Sequence, residues 1–157
     1  MQINYSKYHG CKNEFVCIDC RDQSHDLIKL VQPMCDRESG IGADGLIGLF
    51  ESNIADFKMV IANCDGSIPE MCGNGIRCLA AYVIDQGFSQ SNKLTFETGA
   101  GVLTVEITKN DINRQFKVQM GRANYGRTLP RDDFQLSHDG QVQWSYQLDH
   151  ESFLFTP

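Results

Sequence analysis

Apolar positions fall into two rhythms along the chain. Over Asp26–Asp36, residues Leu27, Leu30, Val31, Met34 and Cys35 recur at helical spacing, with Ser24 as a candidate N-cap. Pro33 lacks a backbone donor and crowds the preceding turn, so it should kink or shorten this helix. A second helix is predicted from the stripe Ile76, Leu79, Ala80, Val83 and Ile84; it starts close to Cys72 and Gly87 stops it. Elsewhere period-two alternation dominates, in Leu103-Val105-Ile107, Phe116-Val118-Met120 and Val142-Trp144-Tyr146-Leu148, and predicts half-buried strands. The links Gly99-Ala100-Gly101, Lys109-Asn110-Asp111 and Asp139-Gly140 predict hairpins, and with them antiparallel pairing rather than crossovers. Gly40–Gly45 reads as a tight turn before a strand over Leu46–Glu51, with Asp44 as a cap or part of a site wall. The class is α+β.

A length of 157 residues suits one domain, so a single unit over 1–157 is expected. With 41% apolar and 22% charged residues the chain has the balance of a globular protein that folds. A net charge of −6, with Lys and Arg scattered, leaves no footprint for nucleic acid. No stretch approaches the roughly 20 apolar residues of a membrane span, and Met1 leads into the polar start Gln2-Ile3-Asn4-Tyr5. A cytoplasmic location without membrane attachment is expected, and the seven cysteines then read as reduced thiols. The apolar end Phe153-Leu154-Phe155-Thr156-Pro157 has no polar tail, which suggests that a longer polypeptide was cut or that a second domain begins here.

The segment Asn63–Cys78 is richest in chemistry. A thiol at a helix N-terminus is stabilised as its anion by the dipole and the unpaired amides, and Cys72 has that address. Gly73, Asn74 and Gly75 bare the backbone at the same helix start, where N–H groups can meet a carboxylate. Asn63 and Asn74 both donate and accept without adding charge, as suits an amino-acid zwitterion; Glu70 opposes a nearby anion. A cysteine is more often a small buried apolar residue than a nucleophile, and Cys17, Cys35 and Cys78 are read that way. Cys72 and Cys78, about 9 Å apart along a helix axis, cannot form a disulfide there.

Cys17-x-x-Cys20 lies on a strand pattern, where residues three apart face opposite sides, and the four histidines show no ligand spacing, so no metal is expected. His9 beside Gly10 reads as a turn residue. Gly73-Asn74-Gly75 lacks the third glycine of a dinucleotide fingerprint, and Gly40–Gly45 is followed by no Lys-Ser/Thr pair, so neither spells a phosphate loop.

Together these segments resemble the diaminopimelate epimerases, a family of pyridoxal-independent enzymes. The strongest element is Asn63-x-Asp65-Gly66-Ser67-x-x-x-Met71-Cys72-Gly73-Asn74-Gly75-x-Arg77-Cys78. Next come Asp36-Arg37-x-x-Gly40-Ile41-Gly42-Ala43-Asp44-Gly45-Leu46-Ile47 and the looser Lys7-x-His9-Gly10-x-x-Asn13-x-Phe15. The resemblance implies a mostly antiparallel sheet curled round a central helix, as one half of a two-domain fold with substrate between the halves. It implies no cofactor. It assigns Cys72 as one of two catalytic cysteines, one taking the α-proton as thiolate while the other delivers a proton to the opposite face. It makes Gly73 and Asn74 substrate contacts at the helix end, and Asn13 and Asn63 further contacts. The second cysteine belongs to a second domain that this chain does not match, so the chain alone is expected to be inactive; homodimer formation is a further implication.

Where the family has Gly-Asn-Asp-Phe, this chain has Lys12-Asn13-Glu14-Phe15, and Cys11 replaces a commoner apolar residue. Three readings follow: interconversion of LL- and meso-diaminopimelate, pyridoxal-independent racemisation of another amino acid, and an inactive remnant that still binds amino acids.

Overall fold

The computed structural model describes residues 3–22, 25–108 and 114–121, and the backbone alone of 134–136, 142–148 and 151–155. The candidate cap Ser24, the turns at Lys109–Asp111 and Asp139–Gly140, and the burial alternation of Val142–Leu148 lie outside the described residues. Where length suggested one unit, backbone contacts group the chain into two, Met1–Met120 and Gly121–Pro157. In the second, β8 (Phe134–Leu136), β9 (Val142–Leu148) and β10 (Glu151–Phe155) form an antiparallel sheet of their own, in the order β10-β9-β8.

The first unit is a seven-stranded sheet with its strands in chain order: β1 (Tyr5–Gly10), β2 (Asn13–Asp19), β3 (Gly45–Phe50), β4 (Phe57–Asn63), β5 (Lys93–Thr98), β6 (Gly101–Ile107) and β7 (Phe116–Gln119). Helix α1 (Leu27–Cys35) lies between β2 and β3 in sequence, and α2 (Gly73–Asp85) between β4 and β5. The sheet curls round α2, which meets β1, β2, β3, β4, β6 and β7.

Alternation along the central strands divides the apolar residues between two cores. Phe15, Cys17, Ile47, Leu49, Phe57, Met59 and Ile61 pack with Ile76, Leu79 and Val83 of α2. Their neighbours Val16, Ile18, Leu46 and Ala62 pack with Leu27, Val31 and Cys35 of α1 on the other face. Strands β2 and β3 are therefore buried on both sides, which explains their continuous apolar runs. The same alternation separates Cys17 and Cys20 into opposite cores.

Four pairings are antiparallel, but β2 with β3 and β4 with β5 run parallel. This corrects the expectation that hairpins exclude crossovers: a helix returning each chain segment to the same end of the sheet makes the next strand parallel. The β4/β5 pair is short, Phe57 with Phe96 and Lys58 with Glu97. Beyond it lies a cavity of about 440 Å3, walled by Ile68, Pro69 and Glu70 on one side and Thr98 and Gly99 on another.

Helix α1 begins at Asp26, whose carboxylate accepts the N–H of Lys29, and ends two residues after Pro33. Helix α2 ends in a Schellman motif: Gly87, at φ +72°, donates to Ile84, and Phe88 donates to Val83. The β1–β2 turn falls on Cys11 and Lys12, both at positive φ, so His9 lies within β1 rather than in a turn. No helix among the described residues is long and apolar enough to cross a membrane.

Candidate active site at the start of α2

Cys72 is the N-cap of α2. Its backbone is extended (φ −139°, ψ 116°) and its sulfur accepts the N–H of Gly75 at 3.4 Å, the place that a serine or aspartate oxygen usually takes. Fixing the sulfur there sets it against the unpaired amides and the positive end of the helix. Met71, Cys72, Gly73 and Asn74 are half-buried, whereas Gly75 and Ile76 are buried, so the helix is anchored and its first residues stay accessible. Gly75 leaves the space that this requires: a Cβ there would lie 3.1 Å from Ile47 and 3.2 Å from Met59.

Asn74, in the first turn, donates from Nδ2 to Oδ1 of Asn13 at 3.2 Å. Asn13 opens β2, and its Nδ2 donates to Oδ2 of Asp44 at 3.1 Å. The same Asp44 oxygen accepts the N–H of Glu14 at 2.8 Å, and its other oxygen accepts from Arg37 at 2.9 Å. These bonds, led by that of the Glu14 N–H, hold the Asp44 carboxyl below the usual carboxylate range. At the opposite end Arg77 donates to Oδ1 of Asn74 and to the sulfur of Cys11.

Asn63 closes β4 opposite Gly45, and its side chain donates to Ser67 at 2.9 Å. It joins the site through backbone, because the next residue, Cys64, donates to the carbonyl of Asp44. Asn13 and Asn74 thus touch directly, Cys72 and Gly73 adjoin them in the chain, and Asn63 stands one link away. Asp44 emerges as the hub. Its place between the α1 turn and β3 marked it in the sequence only as a cap or site wall.

The departures from the family pattern point elsewhere. Lys12 is exposed at the β1–β2 turn, and the Glu14 carboxylate pairs with Arg37 and Lys7. Cys17, Cys35 and Cys78 are buried, as their reading as core residues requires, and Cys20 is buried with them. Among the described residues no three His, Cys, Asp or Glu side chains cluster as metal ligands.

A half-barrel wound round one helix is the fold of one domain of a two-domain epimerase architecture. The phenazine biosynthesis protein of the PhzF family from Bacillus anthracis shares it at a TM-score of 0.66 and 18% identity, covering 100% of this chain and 56% of that one. So does a hydroxyproline epimerase from Agrobacterium vitis, at a TM-score of 0.53 and 14% identity over 68% of this chain and 37% of that one. Within that class the chain belongs to the diaminopimelate epimerase family, which residues 5–126 match. A diaminopimelate epimerase from Elusimicrobium minutum is 47% identical over 120 residues, 76% of this chain and 42% of that protein. Diaminopimelate epimerase 1 of a Nostoc species is 49% identical over 127 residues, 77% and 44% respectively. The chain therefore spans less than half the length of these relatives.

Proposed function

We propose that this chain is the catalytic lobe carrying one of two cysteines in an enzyme that interconverts LL- and meso-diaminopimelate without a cofactor. The observation that carries the reading is Cys72: a half-buried thiol at the N-terminus of the central helix, beside a hydrogen-bonded pair of asparagines. Cys72 exchanges the α-proton on one face of the substrate carbon, and a cysteine from a second lobe serves the other face. Gly73 and Asn74 hold the substrate at the helix end, with Asn13 and Asn63 as further contacts. Family membership and relatives more than twice the matched length support the second lobe. The protein works in the cytoplasm, where its seven free cysteines stay reduced.

The family match supports diaminopimelate over another amino acid, and the departures beside Asn13 leave its hydrogen bonds intact. Glu14 uses its N–H on Asp44 while its carboxylate faces Arg37, so the unusual side chains flank the asparagine without replacing its bonds. The test is α-proton exchange in deuterated water, followed by mass spectrometry, on the protein with its second lobe present. Exchange with diaminopimelate that is lost in Cys72→Ser is expected. Faster turnover of a different amino acid by kcat/KM would replace the substrate, and absence of exchange with every amino acid tried would leave a binding remnant.

A further inference from the structure

The two asparagines sit in the middle of a chain of hydrogen bonds that ends on a donor at one side and an acceptor at the other. Arg77 donates to Oδ1 of Asn74, Asn74 donates to Asn13, Asn13 donates to Asp44, and Arg37 donates to the far oxygen of Asp44. A guanidinium has no lone pair to offer, and an ionised carboxylate has no proton to give. The ends therefore decide how both amides point. Turning Asn74 over would set its NH2 against Arg77, and turning Asn13 over would set its oxygen against Asp44. Either reversal places like partners together in a partly buried site, where an unmade bond costs more than a made one returns.

We infer that Asp44 and Arg77 are positioning residues that lock the polarity of the Asn13–Asn74 pair and so govern how the lobe recognises the amino-acid head group. Each asparagine spends one N–H and one oxygen lone pair within the chain of bonds and keeps one of each. The free N–H groups suit the substrate carboxylate and the free lone pairs suit its ammonium, but only while neither amide can rotate. A pair that could flip would meet the zwitterion in several orientations, of which one binds. The inference rests on the proposed epimerase reading for its substrate, and on the geometry alone for the lock.

Two kinds of substitution separate a directional lock from a merely structural role. Asp44→Asn and Arg77→Gln keep side chains able to hydrogen-bond but let each end both donate and accept; Arg77→Lys keeps a donor-only end with a poorer fit. With the second lobe present, the double variant Asp44→Asn/Arg77→Gln is expected to raise KM about 10-fold or more while kcat, set by the untouched Cys72, changes less than about threefold. Arg77→Lys should stay within about threefold of the parent in KM. Arg37→Met, which removes the exposed ion pair but leaves the Asp44 acceptor, should do the same. Asp44→Asn and Arg77→Gln taken singly should each raise KM less than about threefold, because the end that remains still fixes both amides, so the effect of the double variant exceeds the product of the singles. A double variant no worse than the product of the singles, or an Asp44→Asn/Arg77→Lys variant as poor as Asp44→Asn/Arg77→Gln, would overturn the lock.

A second measurement needs no activity. In this chain alone, the side-chain NH2 groups of Asn13 and Asn74 should give nitrogen-correlated NMR signals displaced from those of a free asparagine and slow to exchange with water, and Asp44→Asn/Arg77→Gln should move both residues towards the free values. Signals of both asparagines still displaced and slow in the double variant would overturn the lock even if the enzyme proves active. Conversely, release of both asparagines in the double variant of a protein that exchanges no α-proton would uphold the lock and refute the function.

Discussion

Asn74 reaches back 61 positions to hydrogen-bond Asn13, joining the first turn of α2 to the first residue of β2. Since Asn13 in turn donates to Asp44, a carboxylate placed at position 13 would face another carboxylate. Asn13→Asp should therefore lower stability at neutral pH, by about 1–2 kcal/mol after allowance for solvent screening. The mutual repulsion raises the new carboxyl's pKa, so the folded state takes up a proton before the unfolded one does. Lowering the pH should narrow the deficit. Urea denaturation of both proteins at pH 7 and pH 5 checks this, and a deficit that is constant or grows at pH 5 contradicts the direct contact.

The thiols should divide sharply by reactivity. Burial pushes Cys20, Cys35 and Cys78 up to about 11, and it raises Cys17 as well, which leaves about one thiolate in a thousand for the first three at pH 8. Cys11 and Cys64 are exposed and Cys72 is half-buried. Iodoacetamide at pH 8 is expected to modify these three and spare the other four until denaturant is added, as read by peptide mass spectrometry. A Cys72 as slow as Cys78 would remove the accessible sulfur on which the catalytic reading stands.

How much of this was legible before the structure depends on the range over which each residue acts. The stripe from Ile76 to Ile84, the stop at Gly87 and the placing of Cys72 at the helix start are local, and each holds. The Gly99–Gly101 hairpin also holds, since Thr98 pairs with Gly101 across two residues. Parallel pairing of β2 with β3 was not legible, because a period of two states which face a side chain takes and not which strand lies alongside. Nor was the role of Asp44: its partners Asn13, Glu14 and Arg37 come from two other parts of the chain, and the pairing of β2 with β3 brings the first two to it.

Acid should weaken the fold through that same cluster. Asp44 and Glu14 are held below their ordinary values, Asp44 chiefly by the Glu14 N–H and Glu14 chiefly by Arg37; Asp19 is lowered by Arg21 and Glu97 by Lys58. A depressed folded pKa stabilises above the unfolded value, about 4 for these groups, and that stabilisation is lost as pH falls through the folded values. The melting temperature should hold steady above about pH 5 and drop towards pH 2. Asp44→Asn, which carries no proton-linked term at that position, should start lower and drop less. Parallel curves for the two proteins at low ionic strength would show that Asp44 contributes nothing to the slope.

The turn between β5 and β6 offers a way to disturb the site from outside it. A Cβ on Gly99 would lie 2.8 Å from Cα and 3.0 Å from the carbonyl oxygen of Glu70, so backbone rather than a flexible side chain would have to yield. Gly99→Ala is expected to cost about 1–3 kcal/mol as overpacking, and to shift the segment that delivers Cys72 two residues later. Gly101→Ala is the matched control: nothing lies within 4 Å of the new Cβ, but at φ +107° an alanine is strained, so stability falls without pressure on Glu70. With a second lobe present, the first substitution should reduce kcat well beyond its effect on melting temperature, whereas the second should lower melting temperature and leave kcat close to the parent. Equal kcat in the two variants would mean that the approach of Gly99 to Glu70 supports the fold and has no part in placing the thiol.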